Sequence, residues 1–174
     1  MRVLQHQRLD VLESPLNRRV AQYWFELAGE CRPAWPDKAA LDPLALGQTL
    51  SHLCLIDVRP DGGFTYRLVG EWVRALGVRR GQTVEDLENE RGSLRICERL
   101  RRCVRAGAPY WDRYGYGRPA QEFTKIEALV LPLTALPGSE LIDLLLTSGD
   151  FCKTETDSAL DALEEAGSPR SAGI

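Results

Sequence analysis

The side chains of this 174-residue sequence that could carry chemistry are few: two histidines, five cysteines and several arginines set among apolar residues. His52 and Cys54 stand two apart in a predicted strand, so both point to one side and a Cys-His nucleophilic dyad can be drawn. Such a dyad needs a third group to orient the imidazole and donors for an oxyanion. Neither is evident, and the pair reads as a strand-edge histidine beside a core cysteine. His6 falls in the N-terminal stretch. An odd number of cysteines (Cys31, Cys54, Cys97, Cys103, Cys152) without a C-x-x-C pair argues against a disulfide framework and for small buried hydrophobes in a reducing compartment. Cys152, near the C-terminus, is the one expected to be exposed. Neither a metal-ligand spacing nor a glycine-rich phosphate loop occurs. Gly77-Val78-Arg79-Arg80-Gly81 could grip an anion, but two arginines in a turn read first as solvated.

Arg67 is the most suggestive single residue. Alternation places it on the strand face opposite Phe64, Tyr66 and Leu68, where a partly buried guanidinium needs a carboxylate or an anionic ligand. Asp143 and Glu127 are the internal partners considered, and a structural ion pair is the preferred reading. The aromatic set Trp72, Tyr110, Trp111, Tyr114 and Tyr116 is dense enough to line an apolar pocket, with Trp72 and Tyr114 the first positions to test. Arg67, Trp72 and Tyr114 are therefore the candidate ligand-binding residues. Arg95, Arg99 and Arg102 form a basic stripe opposite Ile96, Cys97, Leu100, Cys103 and Val104 at helical spacing. That stripe reads as a solvated face or as a cover for an acidic segment of the same chain.

These groups must be held by the patterned elements around them. Ser14-Pro15 supplies a hydroxyl cap and a first-turn proline for a helix in which Leu16, Val20, Tyr23, Trp24 and Leu27 keep helical spacing up to Gly29. Adjacent Tyr23, Trp24 and Phe25 cannot share one face, which predicts burial against both a sheet and a second chain. Asp42-Pro43 opens a short second helix. Leu53–Val58 and Phe64–Val69 form a hairpin across Pro60-Asp61-Gly62-Gly63. A helical turn over Glu71–Leu76 and a longer helix over Ser93–Ala106 follow, then strands at Pro109–Tyr116, Phe123–Leu131 and Leu141–Thr147.

Hydrophobic residues make up 44% and charged residues 27% of the chain, the balance of a soluble globular protein. The net charge is -3; removing the five acids and two bases of residues 151–174 from the totals of 25 and 22 leaves 20 of each in residues 1–150. A neutral body gives no basic footprint for nucleic acid or an anionic membrane. No stretch is long and apolar enough to span a bilayer, and Met1–Pro15 lacks a secretory apolar segment, so a cytoplasmic location is expected.

Two strands, a helical crossover and three further strands match the PAS architecture. Tyr23-Trp24, Asp42-Pro43, Leu53–Val58, Phe64-Thr65-Tyr66-Arg67-Leu68-Val69-Gly70, Gly77 to Gly81 and Leu131-Pro132-Leu133 sharpen the match, and the chain resembles the small bacterial stand-alone PAS proteins over roughly residues 17 to 148. Glu71-Trp72 departs from that pattern, which carries a small hydroxyl residue directly after the glycine. The resemblance implies an α+β fold, a five-stranded antiparallel sheet with helices on one face plus an N-terminal helix. It divides the chain into a helix and linker (1–36), a PAS-like domain (37–150) and an acidic tail (151–174). It implies a non-catalytic sensory or signalling module that binds a small molecule, a partner protein, or a second copy through the N-terminal helix. The cofactor is unknown: haem relatives use a helix-borne histidine and photoactive flavin relatives an Asn-Cys-Arg-Phe-like motif, and this sequence has neither. A noncovalently held flavin stays open. The alternative is a small enzyme of cone-shaped α+β fold using a pocket carboxylate, Asp143 or Asp112; a carboxylate with no arginine partner would favour it.

Overall fold

The computed structural model describes residues 3–30, 35–91, 95–116 and 124–152. Helix α1 (Pro15–Glu30) starts where its cap predicts, the Ser14 hydroxyl accepting the Asn17 N–H at 3.1 Å. Helix α2 (Pro43–Leu46) is capped by Asp42, whose carboxylate accepts the Leu44 N–H at 2.8 Å. Strands β1 (Leu53–Val58) and β2 (Phe64–Val69) follow, then α3 (Glu71–Ala75), α4 (Val84–Arg91), α5 (Ile96–Ala106), β3 (Tyr110–Tyr116), β4 (Thr124–Leu133) and β5 (Leu144–Cys152). The sequence reading did not anticipate α4. Its acidic run offers only Val84 and Leu87 as buried apolar residues, too few to set a period, and the Thr83 hydroxyl accepting the Asp86 N–H caps it.

The strands form one antiparallel sheet in the order β2-β1-β5-β4-β3. Central strands buried on both faces read as continuous apolar runs, which is why β1 is apolar from Leu53 to Ile56. Cys54, Ile56, Phe64, Tyr66, Tyr110, Val130 and Leu145 turn toward α4 and α5. Leu53, Leu55, Leu129, Leu131, Leu133, Leu144 and Leu146 turn the other way, where Val20, Ala21 and Trp24 of α1 cover them. A bulge interrupts the hairpin: Leu68 pairs Leu55 while Tyr66 pairs Ile56, leaving Arg67 as the extra residue. The bulge reverses the alternation, so Leu68 shares the outer face with Leu55 and is 48% exposed, rather than facing inward with Phe64 and Tyr66.

Strand β5 runs to Cys152, paired with Lys125, and the expected strand end at Thr147 falls short by the length of that pairing. Cys152 is consequently buried, correcting the expectation of an exposed thiol. Asp143 precedes β5 instead of lying within it, and its carboxylate accepts the Ala135 N–H at 2.6 Å. Cys31, Phe123 and the acidic segment beyond Cys152 lie outside the described residues.

One ionisable group holds α1 on the sheet. Glu127 of β4 has no exposed surface, yet both carboxylate oxygens are fully engaged. Oε1 accepts the Ser14 N–H at 3.1 Å and the Asn17 amide at 3.2 Å; Oε2 accepts the Glu13 N–H at 2.8 Å and Arg113 Nε at 3.0 Å. A carboxylate against the first turn of a helix also meets the positive end of its dipole. Asn17 completes the join, donating to the Glu127 carbonyl at 2.8 Å and accepting from the Ser148 hydroxyl at 2.6 Å. Arg113 keeps an ion pair with Glu13 at 2.7 Å, but the buried Ser14 N–H and Asn17 amide would lose the acceptor Oε1, at about 1–3 kcal/mol for each unmatched donor, so Glu127→Ala is expected to cost about 2–5 kcal/mol in urea unfolding. A loss below about 1 kcal/mol, the range of exposed pairs, would refute this role.

Candidate functional site

Between the α4/α5 side of the sheet and the helices lies a cavity of about 110 Å³. Ile56, Tyr66, Val130 and Thr147 form its sheet wall, and Val73, Leu76, Leu87 and Leu100 its helical wall. Trp72 and Tyr114, two of the three residues singled out from sequence, line it; Arg67 does not. Arg67 sits on the outer face, its guanidinium 2.6 Å from Asp57. The ion pair is therefore made with Asp57 of the neighbouring strand rather than with Asp143 or Glu127, because the bulge carries Arg67 over β1 on the side to which Asp57 points.

Trp72 owes its place to Gly70. A Cβ on Gly70 would stand 2.3 Å from the Ser51 carbonyl oxygen, so only glycine lets the end of β2 press on the turn Gly47–His52. The Gly70 N–H donates to the Leu53 carbonyl at 2.8 Å, and α3 starts at the next residue. Trp72 then stacks on His52 with ring centroids 4.7 Å apart and meets Phe151 edge-on at 5.1 Å. Arg99 of α5 lies 3.8 Å above the Tyr114 ring and 3.4 Å from Asp112 of β3. Arg102 is likewise engaged, by Glu98 and by the Tyr110 hydroxyl. Two arginines of the basic stripe thus serve the domain's own packing.

The groups considered for catalysis are otherwise occupied. His52 ends the turn before β1, where its Nδ1 lies 2.9 Å from the Ser51 hydroxyl. Burial pushes the Cys54 thiol up to about 11, against the opposing effects of hydrogen bonds with the Gly70 backbone and the Thr147 side chain. Burial also pushes Cys97 and Cys103 up to about 12 and Cys152 up to about 11. These thiols stay protonated at neutral pH, which removes the nucleophile from the Cys-His reading. Asp112 has Arg99 as a partner and neither Asp112 nor Asp143 lines the cavity, so among the described residues the pocket-carboxylate reading finds no group to act. Alternation alone makes Tyr66 a core position; the structure also places it in the cavity wall.

A raised thiol pKa stabilises the fold most below the ordinary thiol range of about 8.5, and that contribution is lost as the unfolded thiols ionise and pH climbs toward 11. Urea midpoints are expected to fall across that window. Iodoacetamide at pH 8 should leave Cys54, Cys97, Cys103 and Cys152 unmodified until urea is added, as read by peptide mapping. Rapid alkylation of native Cys54 or Cys97 would contradict the burial described.

Among the described residues no helix is long and apolar enough to cross a membrane, and no cluster of three or more metal-ligating side chains occurs. A family model described as PAS domain matches residues 12–145. Among curated proteins there is no match. Similar solved structures include a light-oxygen-voltage domain studied with a flavin analogue, 13% identical, with 72% of this chain and 94% of that chain covered and a TM-score of 0.47. An RNA-binding light-oxygen-voltage receptor is 16% identical, with 76% of this chain and 42% of that one covered and a TM-score of 0.47. The LOV protein of Rhodobacter sphaeroides is 16% identical, with 83% and 76% covered and a TM-score of 0.43.

Proposed function

Since the chain belongs to the PAS domain family, we propose that it works as a sensory module that takes a small molecule between its sheet and helices and signals through a partner protein. PAS domains are as a rule non-catalytic, and the protonated thiols and partnered carboxylates described above accord with that. The observation that carries the reading is the apolar cavity whose lining includes the stacked rings of His52 and Trp72. Its size bears on the cofactor. Clefts for drug-sized ligands run to roughly 300–1,000 Å³, and a flavin or haem would have to reach beyond a space of about 110 Å³ or displace its walls.

The finer expectation, a homodimer through α1, rested on three adjacent aromatic residues. Each finds cover within one chain. Trp24 donates its indole N–H to the Pro132 carbonyl at 2.9 Å, Phe25 stacks on His6 at 5.0 Å, and the Tyr23 hydroxyl donates to the Ala40 carbonyl while accepting the Asp42 N–H. The exposed residues of α1 include Arg18, Arg19, Gln22 and Glu26, and its apolar Leu16, Tyr23, Phe25 and Leu27 are half-buried, which favours a monomer over a dimer through this helix.

Native mass spectrometry of protein purified without denaturation reads both points. The expected result is a monomer, part of it carrying a noncovalent small-molecule adduct that Ala128→Leu, which adds bulk to the cavity wall, reduces. A bare protein that is also not stabilised thermally by any member of a small-molecule panel would overturn the ligand reading. A dimer would overturn the monomer reading.

A further inference from the structure

We infer that the occupant of this cavity is an uncharged, compact molecule, about the size of one six-membered ring, that presents a hydrogen-bond acceptor to the Tyr66 hydroxyl. The inference rests on the cavity being the ligand site, as proposed above.

Size sets the first limit. An apolar cavity of roughly 150 Å³ takes up benzene, so a space of about 110 Å³ fits a single ring or a short branched chain after small rotamer shifts. The polar groups on the walls set the second. Cys54 is engaged by Thr147 and the Gly70 backbone, and His52 by Ser51. Ser148 sends its hydroxyl through to Asn17 on the opposite face. Tyr66 differs. Its side chain is 5% exposed and lines the cavity, and its hydroxyl has no hydrogen-bond partner among the described residues. The hydroxyl opens on an apolar cavity, where a ligand acceptor would give it the partner that the protein does not. Burial also raises the phenol pKa, which keeps the group a donor.

Charge sets the third. Among the described residues Arg99 is the single cationic wall residue of fixed charge, and a ligand carboxylate would have to draw it from Asp112 and from the Tyr114 ring. No described carboxylate lines the cavity to balance a cationic ligand. Neutral ligands face neither penalty.

Benzene and pyridine have the same ring size and differ by one acceptor, and pyridine is uncharged at neutral pH. Each is titrated into wild type and Tyr66→Phe, with binding followed by protein NMR shifts. Tyr66→Phe is expected to weaken pyridine about fivefold, the worth of one ordinary hydrogen bond, and to leave benzene within about twofold. Retained benzene binding shows that the variant keeps its cavity. Equal effects on both probes would overturn the role of Tyr66 while the cavity stands as a ligand site. Failure of wild type to bind either probe would overturn the ligand-site reading together with the inference. Benzoate binding as tightly as pyridine would overturn the requirement for a neutral ligand.

Discussion

Glu127 places a carboxylate in the middle of an apolar sheet face, and the arrangement around it can exist only because α1 is there. Two backbone N–H groups, the Asn17 amide and Arg113 supply four donors to its two oxygens. Without the helix, the charge and the leucine rows of β4 and β5 beside it would all lose their cover. The segment before the sheet is thus structural. It closes one of two faces that the apolar central strands leave to be covered, and Arg113 extends the join by donating to the Val11 carbonyl.

Because the outer face is closed by α1, the opposite face is left to α3, α4 and α5, and the cavity forms there. The same strands serve both sides one residue apart. Glu127 of β4 faces α1, while Ile126, Ala128 and Val130 line the cavity, and Leu129 belongs to the core under α1 and borders the cavity as well. In β5, Ser148 bonds Asn17, and Thr147 and Gly149 line the cavity. Residues that meet an occupant are therefore direct chain neighbours of residues that hold the helix.

Much of this was legible in the sequence. The boundaries of β1 and β2 follow from an apolar run, a Gly-containing turn and a period of two, all local signals. Helix α1 follows from its cap and its 3.6-residue period. What escaped depends on partners distant in the chain or on local breaks in the pattern. Alternation put Leu68 inside, but the bulge at Arg67 turns it out and gives Arg67 to Asp57. Helix α4 carries too few apolar residues to show a period and is stabilised by what it packs against. The join around Glu127 had a signal, an acid within Ile126-Glu127-Ala128-Leu129 and an asparagine on the apolar side of α1, but its meaning rests on contacts across more than a hundred residues. Trp72 and Tyr114 were found through aromatic density, whereas Tyr66 looked like ordinary core until the space beside its hydroxyl was visible.

The central claim is that the sheet and its helices enclose an apolar space able to hold a small molecule. Xenon enters such cavities without needing a polar group, so a crystal pressurised with xenon tests the space itself. The account predicts one ordered xenon atom among Tyr66, Leu100, Tyr114 and Val130. Side chains of those residues closed against one another, with xenon absent from between them, would contradict it.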